Sequence, residues 1–154
     1  MFTPAEIHKY LGLLEETPQR IEACAGGWDE ARLAQPSDKK TWSAVEILAH
    51  VRACEELWSF SIYMMLAQDT PVLPRLEPRK WVKARRYAML EFRHSFQAFV
   101  LQRKELLNVL RELPPEGWEK AAIIDGRRHN VFSQTRRMAL HEAEHCAQME
   151  AMFE

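Results

Sequence analysis

The sequence is poor in the residues that would indicate a disulfide-stabilised or secreted protein. It contains only three cysteines, Cys24, Cys54 and Cys146, which are odd in number and irregularly spaced. A paired disulfide framework is therefore not expected. The first residues run directly into Thr3 to Glu6, with no pattern typical of a secretory signal peptide. We expect free thiols and a cytoplasmic protein.

Long apolar runs and an excess of one charge are also lacking. No apolar stretch approaches the roughly 18 residues that a membrane span requires. The net charge is -1, from 21 basic and 22 acidic residues, so no overall field favours nucleic acid or an anionic membrane. Basic residues do cluster between positions 79 and 93, but at the spacing of an ordinary solvated helix face. We expect neither nucleic acid nor a membrane as a partner.

What is present is a core-forming composition arranged with helical spacing. With 47% hydrophobic and 28% charged residues, residues 1–154 suit a single domain and leave no room for a second. Four long segments repeat apolar residues every three or four positions. The first begins at a capping box formed by Thr3 and Glu6. It is expected to kink or restart at Pro18 and to end near Gly26.

The other three helices are marked by similar signals. Ser43 and Glu46 form a second capping box, and the helix that follows carries His50 on a largely apolar, inward-facing stripe. A long third helix is predicted from Trp81 to Leu110 without a break. The fourth is predicted over roughly Val131 to Met152.

The segment from 113 to 130 is predicted to be a long loop or a small hairpin, with residues 121–124 as a short extended piece. Helices of this number and length pack most simply as an all-α four-helix bundle. The cores of such bundles are a common place for metal sites built from facing helices.

The most informative motif is a pair of histidines, His141 and His145, four residues apart in the last helix. Residues at this spacing share a helix face and can bind one ion. The string His-Glu-x-x-His is also the zincin protease signature. Zincins, however, take a third ligand from well beyond the motif, and only nine residues follow His145. A third ligand must come from earlier in the chain, and His50 is the candidate.

A metal explains these histidines better than burial alone. A single histidine on an apolar face is usually a hydrogen-bonded core residue. Two inward imidazoles repel each other when protonated and lose solvation, unless an ion or a carboxylate satisfies them. Three imidazoles would leave a coordination position open, as in catalytic sites, whereas Cys54 is the one candidate for a fourth ligand that would close the site. For the ion we expect zinc or nickel, with iron, cobalt or manganese as alternatives.

Three polar residues of the last helix are candidates for a supporting role. Glu142 and Glu144 each lie one position from a histidine, and Gln148 lies one turn further on. Each is placed to orient an imidazole or to move a proton, with Glu144 and Gln148 as the catalytic candidates. The alternative for all three is an ordinary solvent-facing position.

Two segments together resemble the DinB superfamily, also described as DinB/YfiT-like. They are Leu33 to Val51, with Leu-Ala-Gln-Pro followed by Thr-Trp-Ser-Ala-Val-Glu-Ile-Leu-Ala-His-Val, and the terminal His-Glu-Ala-Glu-His from His141 to His145. The resemblance covers nearly the whole chain. It implies a four-helix bundle with an up-down-down-up course, frequent homodimers, and a divalent metal held by three histidines, here His50, His141 and His145.

The resemblance also implies a reaction. Members with an assigned activity are mostly transferases or isomerases that use low-molecular-weight thiols such as bacillithiol or mycothiol. We therefore expect a metal-dependent transferase that acts on a small-molecule substrate with such a thiol, because a metal-bound thiol has a lowered pKa and presents the nucleophilic thiolate. Two alternatives stay open. They are a metal-dependent hydrolase and a non-catalytic, metal-stabilised dimer that serves in a stress response or as a scaffold.

Overall fold

The fold is seen in a computed structural model that describes residues 1–154. Six helices and three short strands follow one another along the chain. They are α1 (Pro4–Ala25), α2 (Glu30–Leu33), α3 (Ala44–Ala67), β1 (Val72–Leu73), α4 (Pro78–Arg85), α5 (Phe92–Arg111), β2 (Ala121–Ile124), β3 (Arg127–Asn130) and α6 (Val131–Met152). Short 3-10 turns precede α5 and β2. None of the helices combines the length and the apolar character needed to cross a bilayer.

The long helices α1, α3, α5 and α6 form a four-helix bundle. Helices α1 and α6 run parallel to each other, and both run antiparallel to α3 and α5, which gives the expected up-down-down-up course. The pairs that set these directions are Thr17 with Glu142 and Arg20 with Glu150 (α1 and α6), Glu15 with Arg111 and Glu22 with Arg93 (α1 and α5), and Arg52 with Ser95 and Glu55 with Arg103 (α3 and α5).

The core of the bundle has two apolar clusters. One surrounds Leu14, Met65 and Leu106 at one end, and the other surrounds Ile21 and Phe99 at the other. Each long helix places one polar residue between the two clusters, and all four are almost fully buried: Thr17, Glu55, Arg103 and Glu142. The core is therefore two apolar layers with a polar layer between them.

Arg103 holds this polar layer together. Its guanidinium donates hydrogen bonds to Glu55 (2.8 Å) and to both oxygens of Glu142. Thr17 donates to Glu142 at 2.8 Å. Burial raises the pKa of Glu55 to about 8, although Arg103 opposes the shift, and Glu142 adds to it. One cation faces two carboxylates in a dry interior, so Glu55 favours keeping its proton at neutral pH.

Of the kink or restart expected at Pro18, the restart is wrong, because α1 continues through that residue to Ala25. Proline has no backbone N–H and leaves the carbonyl of the residue four positions earlier without its helical partner. Here that carbonyl belongs to Leu14, and it accepts a hydrogen bond from Arg103 at 2.7 Å. The buried arginine thus satisfies the group that the proline leaves free. The helix ends at Ala25 with Gly26 as its C-cap, so the predicted end near Gly26 is confirmed.

The prediction of one unbroken third helix is also wrong. Helix α4 ends at Arg85. The next residue, Arg86, adopts the left-handed conformation (φ 56°), and a 3-10 turn leads to the start of α5 at Phe92. The ring of Tyr87 in this turn is buried against Ala49 and Ala53 of α3. Its hydroxyl donates to Glu56. Tertiary packing of one tyrosine therefore folds α4 back onto α3.

The connection from 113 to 130 contains the hairpin that was one of its two predicted forms. Asp125 (φ 52°) and Gly126 (φ 74°) form its two-residue turn, which requires positive φ at both positions. Strand β2 pairs with β3 in antiparallel fashion and with β1 in parallel fashion. This small sheet covers the end of the bundle where α3 finishes and α6 begins.

Candidate metal site

The structure brings all three predicted histidines together between α3 and α6. Because the two helices are antiparallel, the second turn of α3 meets the middle of α6. The Nε2 atom of His141 lies 3.0 Å from Nε2 of His50 and 3.1 Å from Nε2 of His145. The three ring centroids are 4.4 to 5.0 Å apart. Three imidazole nitrogens therefore converge on one point.

These separations suit ligands of a single ion. With metal–nitrogen bonds of about 2.1 Å, two ligand nitrogens lie about 3.0 Å apart at a right angle and about 3.4 Å apart at a tetrahedral angle. The observed separations of 3.0 and 3.1 Å are at the shorter end of this range. The rings thus fit one face of a coordination shell, with further positions left for other ligands.

The proton positions favour a cation as well. The Nδ1 atom of His145 lies 2.8 Å from the amide oxygen of Gln148. An amide oxygen only accepts, so Nδ1 carries the hydrogen and Nε2 of His145 points a lone pair at His141. Without an ion, Nε2 of His141 has only one hydrogen or one lone pair to direct at its two neighbours, so it cannot form two well-directed hydrogen bonds. A cation would accept lone pairs from all three nitrogens.

Gln148 is thus placed as a ligand-orienting residue would be. Glu144, the other catalytic candidate, is exposed and makes no hydrogen bond to the three imidazoles. Glu142 points away from them, because its carboxylate is bound by Arg103 and Thr17. Of the three polar candidates on α6, the structure brings only Gln148 to the site.

Cys54 lies close enough to offer a second ligand set. Its Sγ atom is 3.6 Å from Nε2 of His50 and 4.0 Å from Nε2 of His141, and the three ligand atoms all lie within 4.8 Å of one another. Burial raises the pKa of the Cys54 thiol to about 12, with Glu142 adding to the shift and Arg137 opposing it. In the absence of an ion the sulfur keeps its proton, so it ligates only if the metal displaces that proton.

Burial keeps two of the imidazoles neutral. It is the main cause that lowers the pKa of His50 to about 4, helped by His145 and Arg79. The pKa of His141 falls to about 3 through burial, His145, His50 and Arg137, in that order. Neutral imidazole is the form that binds a metal. Nδ1 of His50 and Nδ1 of His141 have no protein partner, so only His145 has a protein group that fixes its ring.

These pKa values give a prediction for the metal-free protein. His50 and His141 should still be neutral at about pH 5, where a histidine with the ordinary pKa of about 6.5 is mostly charged. Both rings have a pKa lowered below the ordinary value, so they bind protons only as the pH falls toward 4 and 3. An NMR titration of the ring resonances measures this. A midpoint near pH 6.5 for either ring would contradict the buried, converging arrangement.

Two tryptophans and two arginines surround the histidines. The ring of Trp42 lies 5.1 Å from that of His50, and Trp58 meets His141 edge-on at 4.9 Å. Arg79 of α4 lies over Trp42, and Arg137 lies 4.6 Å from the Trp58 ring. Sequence spacing placed Arg79 on a solvated face. It reaches the site because α4 folds back against α3, which no local signal in the sequence indicates.

A cavity of about 290 Å³ borders the site on the α4 side. It is lined by Trp42, Glu46, His50, Arg79, Val82 and Ala88. The imidazole of His50 therefore belongs both to the group of converging rings and to the wall of a space that a small molecule can enter. The cavity offers one cation, one carboxylate and apolar walls.

Comparisons with known proteins bear on the fold and the family of the chain. No curated protein matches the sequence. Among solved structures, YfiT from Bacillus subtilis superposes with a TM-score of 0.87 over 99% of this chain and 88% of its own, at 13% sequence identity. YfiT is described as a probable metal-dependent hydrolase with an unusual four-helix bundle topology. The sequence model of the DinB superfamily matches residues 13–149, from α1 through the histidines of α6, and the chain therefore belongs to the DinB superfamily.

Proposed function

We propose that this protein is a metal-dependent transferase that holds a divalent ion, zinc or nickel, with His50, His141 and His145 and acts with a low-molecular-weight thiol. The observation that carries the proposal is the convergence of three imidazoles beside a cavity, with Nε2 of His141 at 3.0 Å from that of His50 and 3.1 Å from that of His145. An ion held by three neutral imidazoles keeps a coordination position free and lowers the pKa of a thiol or water that fills it.

The charges around the site favour a thiolate. Arg79 and Arg137 lie close enough to lower the pKa of His50 and His141, respectively. The same positive potential stabilises an incoming thiolate relative to the neutral thiol. The chain's own thiol is a poor nucleophile, because the pKa of Cys54 is raised to about 12. The reactive sulfur would therefore come from a small molecule in the cavity.

Hydrolysis is the second candidate, favoured by the likeness to YfiT and its description as a probable metal-dependent hydrolase. A hydrolase needs a general base near the water that it activates. Glu46 is the only carboxylate that lines the cavity, and it already caps the start of α3 by accepting from the backbone N–H of Ser43 at 2.7 Å. The pair Glu55 and Glu142 is held by Arg103. The structure thus offers one candidate base for hydrolysis, Glu46, whose carboxylate already accepts a hydrogen bond from the backbone.

A reaction test separates the two candidates. Metal-loaded protein is incubated with 1-chloro-2,4-dinitrobenzene and, in turn, glutathione, cysteine, bacillithiol or mycothiol, and the products are identified by mass spectrometry. We expect a thioether with one of the thiols, with chloride as the leaving group, at a rate that depends on the ion and is lost in His50→Ala. The variant Glu46→Gln should keep this activity, because thiolate attack needs no carboxylate base.

Absence of a protein-dependent adduct with every thiol would contradict the transferase. Ester hydrolysis that requires the ion and falls in Glu46→Gln would then support the hydrolase. If neither reaction occurs and chelation of the ion strongly lowers the melting temperature, the ion has a structural role. Size-exclusion chromatography with light scattering then shows whether the metal-stabilised protein is a dimer or a monomer. His94→Ala serves as the matched control, since His94 is exposed on α5 and pairs only with Glu91.

A further inference from the structure

A second and larger cleft, of about 450 Å³, lies between α3, the segment after β1 and the β2–β3 hairpin. It shares no lining residue with the cavity beside His50, although Arg137, which lines the cleft, also contributes to the positive potential at the histidines. Its walls combine aromatic and apolar side chains from α3 with charged side chains from the hairpin and α6. Such a mixture is typical of sites for small molecules, in which apolar contact supplies affinity and a few polar groups fix orientation.

Positive charge dominates the polar part of the cleft. Arg75 pairs with Asp125 at 3.6 Å, so these two charges largely offset each other. Arg127 and Arg137 line the cleft and form no ion pair, whereas Glu77 is the one acid in the lining without a cationic partner. The free cations thus outnumber the free acids, and an anion would be attracted to the hairpin side.

The two arginines also affect the pKa of the His129 imidazole. It lines the cleft beside both arginines, and its pKa is lowered first by burial and then by Arg137 and Arg127. His129 therefore stays neutral and donates or accepts a hydrogen bond without adding charge. The positive potential at this wall comes from the two arginines.

The cleft also has exposed apolar side chains in its lining. Phe60 and Leu76 remain 47% and 42% exposed, although both line a concave surface. Gln134, which is only 1% exposed, also lines the cleft, and its buried Oε1 has no hydrogen-bond partner. A buried acceptor without a partner costs free energy unless a ligand or water donates to it.

We propose that this cleft binds an amphipathic anion: a small molecule with an aromatic or aliphatic body and one carboxylate, sulfonate or phosphate group. The body packs on Phe60, Leu76 and Trp58, and the anionic group is bound by Arg127 and Arg137. A hydroxyl or N–H of the ligand donates to Gln134. Arginine suits this role because its planar donors match an oxyanion in two-point contacts.

One side chain, that of Trp58, contacts both the cleft and the histidine site. The ring of Trp58 lines the cleft on one side and meets His141 edge-on on the other, at 4.9 Å. Arg137 covers the Trp58 ring at 4.6 Å. The ligand would therefore lie one side chain from the histidine site. Its binding depends on the cleft alone and stands whether or not the histidines hold an ion.

The test uses 8-anilinonaphthalene-1-sulfonate, a fluorescent probe that combines two aromatic bodies with one sulfonate. The hairpin and α6 supply a matched control, because Arg128 and Arg136 are sequence neighbours of the two cleft arginines but lie outside the cleft. Arg136 instead donates to the hydroxyl of Tyr10 at 3.1 Å. The variants R127Q/R137Q and R128Q/R136Q change the net charge equally, and all four arginines are exposed.

We expect folded wild type to bind one equivalent of the probe, both with the chelator EDTA and without it. R127Q/R137Q should bind it at least about tenfold more weakly, which corresponds to loss of one good charge-assisted contact, and R128Q/R136Q should bind it within about twofold of wild type. Phe60→Ser should weaken binding, and Leu101→Ser, at an exposed leucine of α5 outside the cleft, should not.

Three results would overturn the proposal: equal losses in the two arginine variants, no loss in either, or a loss with Leu101→Ser that matches that with Phe60→Ser. Equal losses in the two arginine variants would mean that binding of the probe depends on the overall charge of the protein. Either of the other two results would mean that the probe binds an apolar surface outside the cleft. Circular dichroism of each variant checks that the fold is retained. Because the assay includes a series with EDTA, in which no divalent ion is available, its outcome is independent of the proposed enzymatic function.

Discussion

Replacing His141 by alanine should lower the affinity for a divalent ion by more than about 100-fold, since loss of a partner that merely orients a ligand already costs up to that much. His141 is the central ring, with its Nε2 at 3.0 Å from that of His50 and 3.1 Å from that of His145. Its removal leaves two ligands that no longer share a common neighbour. Isothermal titration with zinc and nickel, and metal analysis of the purified protein, measure the effect.

Parallel variants identify the ligand set. If the ion is held by the three histidines, His50→Ala and His145→Ala should also lose binding, whereas Cys54→Ser should retain it. If the ion is instead held by the Cys54 sulfur with His50 and His141, Cys54→Ser should lose binding and His145→Ala should retain it. His94→Ala is the control for the loss of an imidazole as such. Wild-type affinity in folded His141→Ala would contradict both ligand sets.

The second large effect is expected from Arg103→Met, which should destabilise the protein by about 3–5 kcal/mol, the usual cost of removing one partner from a buried ion pair. The substitution keeps much of the side-chain volume but removes the cation from between Glu55 and Glu142, each about 1% exposed. It also leaves the Leu14 carbonyl without its donor. Urea denaturation of the metal-free protein measures the loss.

The pH dependence distinguishes this electrostatic cause from a simple packing defect. A carboxyl whose pKa is raised by folding binds more protons in the folded state, so its contribution to stability is complete below the unfolded pKa and is lost as the pH rises through the folded pKa. For Glu55 the folded value is about 8 against an ordinary value of 4.5. Without Arg103 the pKa rises further, because the opposing cation is gone. Wild type and variant then differ in proton binding mainly above the wild-type pKa of Glu55. The stability deficit of the variant should therefore be smaller at about pH 6 than at about pH 9.

Arg111→Met is the control on the same helix. Arg111 pairs with Glu15 at 3.0 Å at the surface, with both side chains about half exposed. Such a pair contributes roughly 0–1 kcal/mol, so its loss should have little effect at either pH. A deficit for Arg103→Met below about 1 kcal/mol, or one that does not change with pH, would show that the buried carboxylates do not depend on this arginine.

The helices that were predicted well carry local signals at their ends. Capping boxes at Thr3 and Ser43 start α1 and α3, and both are formed in the structure. Helix α6 begins at Val131, as expected, after an Asn130 cap. In these cases the residues that stabilise a helix end are its own sequence neighbours, so spacing alone suffices to predict it.

The helices that were predicted poorly depend on distant partners. Nothing near Arg86 in the sequence indicates a left-handed residue, because the break is stabilised by Tyr87 packing on Ala49 and Ala53 of another helix. The continuity of α1 through Pro18 depends on Arg103, which lies 85 positions away along the chain. Local patterns cannot anticipate contacts that only the folded chain creates.

The same division applies to the candidate site. The sequence by itself determined that His141 and His145 share one face of a helix, because a spacing of four follows from helical geometry alone. Only the tertiary structure decided that His50 meets them, that Cys54 lies within reach, and that α4 carries Arg79 to the cavity. Those proximities arise from the antiparallel packing of α3 against α6 and from the break at Arg86, and both are stabilised by contacts between residues far apart in the chain.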